Sequence, residues 1–227
     1  MKFSENIIMA IRDYFYLLEK GYPSKRTLSL VADRYHLDKN ESAVLYRGVF
    51  TKEESTIRYS RVMSGTPDVK STLKVDTFNQ VYNIISYLEG RLVYIAGDGL
   101  LKDASEIHGG PVNSKSLHQA LSLMKSFFET ISDISVEFYL DQQMNNAPRV
   151  KEYLENIFNN SLVDFRIVES DHVDACLAKK GNFILATSDS KIIDRTENTI
   201  YDLSRAVLEN KFSIKIPDIR LLLSENK

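Results

Sequence analysis

The sequence predicts an α/β protein: a mainly parallel five-stranded sheet within three layers, preceded by a small all-α N-terminal region. Three observations predict it. From residue 73 onward, short and nearly continuous apolar runs alternate with segments of helical period, which is how a parallel sheet covered on both faces reads. Before residue 53 only helical periodicity occurs, broken at Gly21-Tyr22-Pro23 and again at Asp38. The 227 residues are 43% hydrophobic and 26% charged, an ordinary globular composition that excludes bulk disorder, a collagen-like chain and a membrane bundle.

The elements follow in order. Residues 3–20 carry Ile7, Ile8, Ile11, Phe15 and Leu18 at helical spacing. Ser4 is placed to cap this helix, and the glycine and proline at 21–23 stop it. Ser24 is expected to cap a second helix over 25–36, with Leu28, Val31, Ala32 and Tyr35 on its apolar side. Asp38 starts a third over 39–50. Three short helices with tight breaks fit an orthogonal bundle, read either as a helix-turn-helix or as a packing module. Residues 51–72 lack clear periodicity and contain Ser64-Gly65-Thr66-Pro67-Asp68, so they read as an extended linker.

The sheet is then built from strands at 73–76, 91–98, 136–141, 164–169 and 182–189. Helices are expected at 79–90, 114–131, 148–159 (Pro148 in its first turn), 171–180 and 199–210. The expected division is a helical domain over 1–52, a linker over 53–72 and an α/β domain over 73–227.

No apolar run approaches the ~20 residues that span a bilayer, so no membrane partner is expected. The first residues carry Glu5 and Asp13 without a continuous apolar stretch, unlike a signal peptide. A single cysteine, Cys176, excludes an intrachain disulfide and a cysteine zinc cluster, and a cytoplasmic location is the simplest expectation. Walker A, Gly-x-Gly-x-x-Gly and Gly-x-Ser-x-Gly patterns are absent, which removes the common nucleotide-binding and hydrolase signatures. The net charge is −2, divided as +3 over residues 1–72 and −5 over 73–227.

The chemistry lies in the aspartates. Asp76, Asp98, Asp141 and Asp189 each end, or nearly end, an expected strand, and Asp171 and Asp174 open the helix after 164–169. Ligands of an open parallel sheet bind outside the carboxyl ends of its strands. One such aspartate is readily explained as a helix cap or turn residue. Several gathered on one rim repel by about 1 kcal/mol per close pair even in water, and a hard cation such as Mg2+ or Mn2+ would offset that cost.

The local motifs resemble a family. The segment VDTFNQV (75–81) resembles the opening Asp-x-x-Asn motif of NYN-type nucleases, within the PIN-like superfamily. FYLD (138–141), VDACLA (173–178) and ILATSDSKI (184–192) are similar to its later acidic motifs, in order and spacing, over residues 73–195. Thr77 stands where the usual motif has glycine. The whole chain, including RDYFYLLEKGYP and GDGLLKDASEIHGG, also looks like an uncharacterised family in which a helical region precedes such a domain.

The resemblance implies a PIN-like, Rossmann-like fold and a metal-dependent nuclease, with RNA as the expected substrate and partner. Asp76, Asp141, Asp174 and Asp189 would be both catalytic residues and ligands of Mg2+ or Mn2+. Asn79, Thr187 and Ser188 would bind substrate phosphate or orient a carboxylate. Secondary candidates are Asp98, His108, Asp171 and Asp194. Asp98 and Asp194 read equally as caps, and His108 as either a general acid or a turn histidine.

Cys176 reads as a small buried hydrophobe, with a His172-assisted nucleophile as the lesser alternative. Tyrosines beside Lys25, Arg26 and Arg34 would stack on bases or pack in the core. The other function classes are a non-catalytic RNA- or protein-binding module on the same fold and a small-molecule phosphohydrolase. A homodimer would widen the groove around so small a site, though no sequence feature requires one.

Overall fold

The computed structural model describes residues 2–68, 70–105, 113–131 and 133–224. Four helices come first: α1 (Glu5–Glu19), α2 (Ser24–Tyr35), α3 (Lys39–Gly48) and α4 (Lys52–Tyr59). Then follow β1 (Thr72–Asp76), α5 (Thr77–Leu88), β2 (Val93–Ile95), β3 (Leu101–Asp103), α6 (Ser114–Phe128), β4 (Ser135–Asp141), α7 (Ala147–Phe158) and β5 (Asp164–Ser170). The chain continues through α8 (Val173–Leu177), β6 (Ile184–Ala186), α9 (Ser190–Arg195), β7 (Thr199–Ile200), α10 (Leu203–Lys211) and α11 (Ile219–Ser224). Among the described residues, no helix is long and apolar enough to cross a membrane.

The chain forms two compact units. The first draws on Met1–Ser60, Gly90–Glu106 and Lys215–Lys227. Its core joins Ile7, Ile11 and Tyr14 of α1 to Val44 and Leu45 of α3, Tyr94 of β2 and Ile219 of α11. The N-terminal helices are therefore completed by segments that the sequence assigns to the second domain.

Local chemistry sets the helix starts. Ser4 caps α1 by accepting from the Ile7 amide, and Asp38 and Glu41 form a reciprocal capping box on α3. Ser24 does not act as a cap: it is the first helical residue, and Pro23 stands at the cap position without a side-chain bond. Thr51 and Glu54 form a second capping box that starts α4, so part of the expected linker is helix.

Residues 91–98 also depart from expectation. They do not join the parallel sheet. Val93–Ile95 pairs antiparallel with Leu101–Asp103 in a separate two-stranded ribbon. The tight turn between them needs Gly99, whose φ of +81° is costly for any residue with a Cβ. The place of that strand in the sheet is taken by β7, which opens the segment expected to be the helix 199–210.

The second unit comprises Arg61–Glu89 and Ile107–Ile214. Its five-stranded sheet has the order β5-β4-β1-β6-β7, with every pair parallel. Side chains alternate across a strand, so the two faces differ. Val75, Val136, Phe138 and Leu140 are buried on one side, with Val81 and Ile85 of α5, Leu121 and Phe128 of α6, and Leu154 and Phe158 of α7. Phe138 and Phe158 meet edge-on at 5.0 Å between centroids.

The other face is polar. Lys74 lies 3.9 Å from Glu137 and 4.0 Å from the centroid of Phe183, and Arg166 pairs with Glu137 at 2.5 Å. The short helix α8 packs over β1 and β4 on this side. Helical cover is thus uneven, and the lightly covered face leads to the carboxyl edge of the sheet.

Candidate functional site: an aspartate edge

The sheet register brings the strand ends together. Asp76 closes β1 opposite Tyr139, β4 runs two residues further to Asp141, and Asp141 is level with Ser170 at the end of β5. Ala186 of β6 is level with Val75, so Thr187 falls beside Asp76. Its hydroxyl donates to Asp76 Oδ2 at 2.8 Å. Because the strands are parallel, Asp76, Asp141 and the 187–189 turn share one edge. Asp174 arrives in the first turn of α8, which packs against β1 and β4.

The carboxylates sense one another. Burial, with the Asp189 and Asp174 charges added, pushes the Asp76 carboxyl up to about 7, against the pull of the Thr187 hydrogen bond. Asp174 is also raised, first by desolvation and then by Asp189 and Asp141, with Arg195 and Lys191 opposing. Asp76 stands at the N-cap of α5, yet its side chain makes no cap hydrogen bond. Asp189 does cap its helix, accepting from the Lys191 amide at 2.8 Å. Asp141 accepts from the Gln143 amide at 2.9 Å in a local turn.

Asn79, Thr187 and Ser188 hold this edge in shape. Thr187 and Ser188 are buried. Asn79 Oδ1 accepts from the Ser188 amide at 2.8 Å and from its hydroxyl at 3.0 Å. Thr187 Oγ1 also accepts from the Asp189 amide at 3.1 Å. Sequence reasoning missed the support behind them. Buried Asn83 donates to both Ser188 and Ser204 hydroxyls at 3.2 Å, and Gln80 Oε1 accepts from the Ser204 amide at 2.9 Å. Its signal was present: Gln80 and Asn83 are polar residues among the apolar positions of a buried helix.

The secondary candidates separate. Asp98 belongs to the first unit, in the turn between β2 and β3. It is fully buried, accepts from the Leu100 amide and pairs with Lys102 at 2.8 Å. It is a cap and ion-pair partner there, not a strand end of the parallel sheet. Asp171 is exposed, and its carbonyl accepts from Gln143 Nε2. Asp194 is exposed within the last turn of α9. His108, with Gly109 and Gly110, lies outside the described residues. Cys176 places its sulfur 3.8 Å from Ser170 Oγ, while His172 is exposed. In the helical unit Tyr14 is buried and Tyr35 donates to Asp13 at 2.7 Å, whereas Tyr22 is exposed.

The donor set suits a hard cation in kind: four carboxylates at one edge, none of them fully buried. It is not a closed cage. Among the described residues, no three His, Cys, Asp or Glu side chains gather closely enough to hold an ion by themselves. A cleft of about 390 Å3 opens at the opposite edge, beside Ser71, Phe183 and the Lys180–Glu197 ion pair, and includes none of these aspartates.

Comparison with known proteins finds uncharacterised families and an uncharacterised relative. A family described as "Protein of unknown function (DUF434)" matches residues 6–61. The chain is similar to "Uncharacterized protein MJ0935" of Methanocaldococcus jannaschii, 24% identical over 197 residues, covering 86% of this chain and 92% of that one. No solved structure matches. A second family, described as "Domain of unknown function (DUF5616)", matches residues 69–206, which hold every strand of the parallel sheet and the whole aspartate edge. That match spans more than half of the chain, and the protein therefore belongs to the DUF5616 family.

Proposed function

We propose that this protein is a metal-dependent ribonuclease on a PIN-like fold, hydrolysing RNA phosphodiesters at the carboxyl edge of its sheet. The observation that carries the reading is the strand register, by which Asp76, Asp141 and the 187–189 turn share one edge, with Asp174 in the first turn of α8 beside it. These four residues would hold Mg2+ or Mn2+. A bound divalent ion supplies Lewis-acid stabilisation of the charge that develops on phosphodiester oxygens.

The chain's own residues do the positioning. Thr187 fixes the rotamer of Asp76 through one carboxylate oxygen. The cap on α9 and the turn after β4 orient Asp189 and Asp141. Asn79, backed by Asn83, holds the 187–189 turn against α5.

The absence of a closed carboxylate cage among the described residues favours one second reading, a non-catalytic RNA-binding module on the same fold. Purified protein with Mn2+ and labelled single-stranded RNA separates the two. The nuclease reading expects cleavage that EDTA abolishes, and that Asp76→Asn or Asp189→Asn abolishes while cooperative melting is retained. Cleavage of equal rate in both variants, or insensitive to EDTA, points to a contaminant and overturns the reading. Retention of RNA without turnover supports the module. Phosphate release from simple monoesters in place of RNA cleavage would reassign the site to small phosphate esters.

A further inference from the structure

Two cations stand beside the aspartate edge and take no part in the reading above. Lys191 and Arg195 lie on α9, the helix that Asp189 caps. They are four residues apart, so they share one helix face. Both are exposed, on a helix that begins directly after Asp189. Neither closes an ion pair among the described residues. Lys180, on the same unit, shows the contrast: it closes an ion pair with Glu197 at 2.5 Å.

The helix carrying the two cations is fixed. Ile192 and Ile193 are buried beneath it. Its last turn is clamped by Arg61, whose Nη1 donates to the carbonyls of Ile193 at 2.5 Å and Thr196 at 2.7 Å. Val62 bridges to Ile200 in parallel, tying the Arg61 segment to β7. The backbone positions that carry the two charges are therefore set relative to Asp189, and the charges are not spent on a partner.

We propose that Lys191 and Arg195 form a phosphate-binding pair that holds the backbone of single-stranded RNA next to the aspartate edge. The proposal rests on the ribonuclease reading and names how its substrate is gripped. Asp76, Asp141, Asp174 and Asp189 would hold an ion that serves the scissile phosphate alone. A strand also needs neighbouring phosphates held, and exposed cations on a rigid element do this at little cost to stability. The competing account makes the two side chains counter-charges that relieve the aspartates. Exposed charges in water relieve little, and that account predicts a lowered melting temperature in K191A/R195A, which a phosphate-binding pair does not.

The test measures binding of a labelled single-stranded RNA by anisotropy across a salt series, in Ca2+ so that binding is read apart from turnover. It compares the full chain with K191A/R195A and with the charge-preserving exchange Lys191→Arg, Arg195→Lys. Removal of two phosphate contacts lowers the slope of log K against log salt by about 1.4 and weakens binding about tenfold at low salt. The charge-preserving exchange keeps both, and the melting temperatures of all three proteins agree.

Equal affinity and slope in K191A/R195A overturns the proposal. If the parent nonetheless cuts RNA, the ribonuclease reading stands alone. Binding that depends on Lys191 and Arg195 in a protein that never cuts leaves the pair assigned and removes the ribonuclease reading. No RNA binding by the parent removes both.

Discussion

At Asp76, burial and neighbouring charge act in the same direction. The folded carboxyl titrates at about 7 against its ordinary 3.8. Between those values the folded protein holds a proton that the unfolded chain has released, so stability falls as pH rises through this window and levels off above it. Asp76→Asn removes the conflict, and Asn still accepts from Thr187. In EDTA the variant is expected to melt above the parent at pH 8, by on the order of a few kcal/mol at most, with the gap closing toward pH 4. Melting curves across pH 4–8 check this; a parent more stable than the variant at pH 8 refutes it.

Asn83 offers a second residue-scale test. Asn83→Ala leaves the buried Ser188 and Ser204 hydroxyls without their donor and is expected to cost about 1–3 kcal/mol in urea unfolding. The edge positions of Asp76 and Asp141 were legible because strand-end carboxylates have a recognisable place in a parallel sheet. Asn83 was not, because a buried amide within an apolar helix acquires meaning only from the turn and helix packed against it.

At the scale of elements, the departures trace to capping and turn chemistry. α4 starts at Thr51-Lys52-Glu53-Glu54, a Thr-x-x-Glu box that was present in the sequence but lay within a stretch of weak periodicity. Thr51→Ala is expected to cost about 1 kcal/mol, read by thermal melting. The ribbon of β2 and β3 depends on Gly97-Asp98-Gly99. An Asp-Gly step between apolar runs is a hairpin signal, and the apolar run before it reads equally well as a buried parallel strand.

Gly99→Ala meets both a left-handed backbone, at φ +81°, and the Tyr59 ring, 2.5 Å from an added Cβ. A loss of about 1–2 kcal/mol or more follows, visible as a lowered melting temperature. An unchanged melting point would mean that the turn relaxes. The strand β7 leaves no period-2 signature, because it has only two residues and runs into a helix start.

On the scale of the whole molecule, contiguity in sequence is a poor guide to contiguity in space. The helical unit closes its core with Tyr94, Ala96 and Ala104 from one segment and Ile219 from another. Tyr94 packs directly on Gly48, where an added Cβ would meet its ring at 2.5 Å. A chain of residues 1–60 alone therefore lacks part of its own core. It is expected to show weak helicity and no cooperative transition by circular dichroism, whereas the full chain melts cooperatively. A sharp transition in the short chain would show that the inserted segments are dispensable.

The amino-acid sequence by itself determined the layer architecture, the helix periodicities, most of the parallel strands and the placing of aspartates at their ends. Each of these follows from local period, local caps and the direction of parallel strands, which need no knowledge of distant partners. Only the tertiary structure decided which apolar run enters the sheet. It also decided that Asp98 is neutralised by Lys102 in another ribbon, and that Asn83 and Arg61 brace the turn and helix around Asp189. Those outcomes depend on pairings across 100 residues or more, or on a choice between two sheets for the same pattern. Local periodicity carries no information about either.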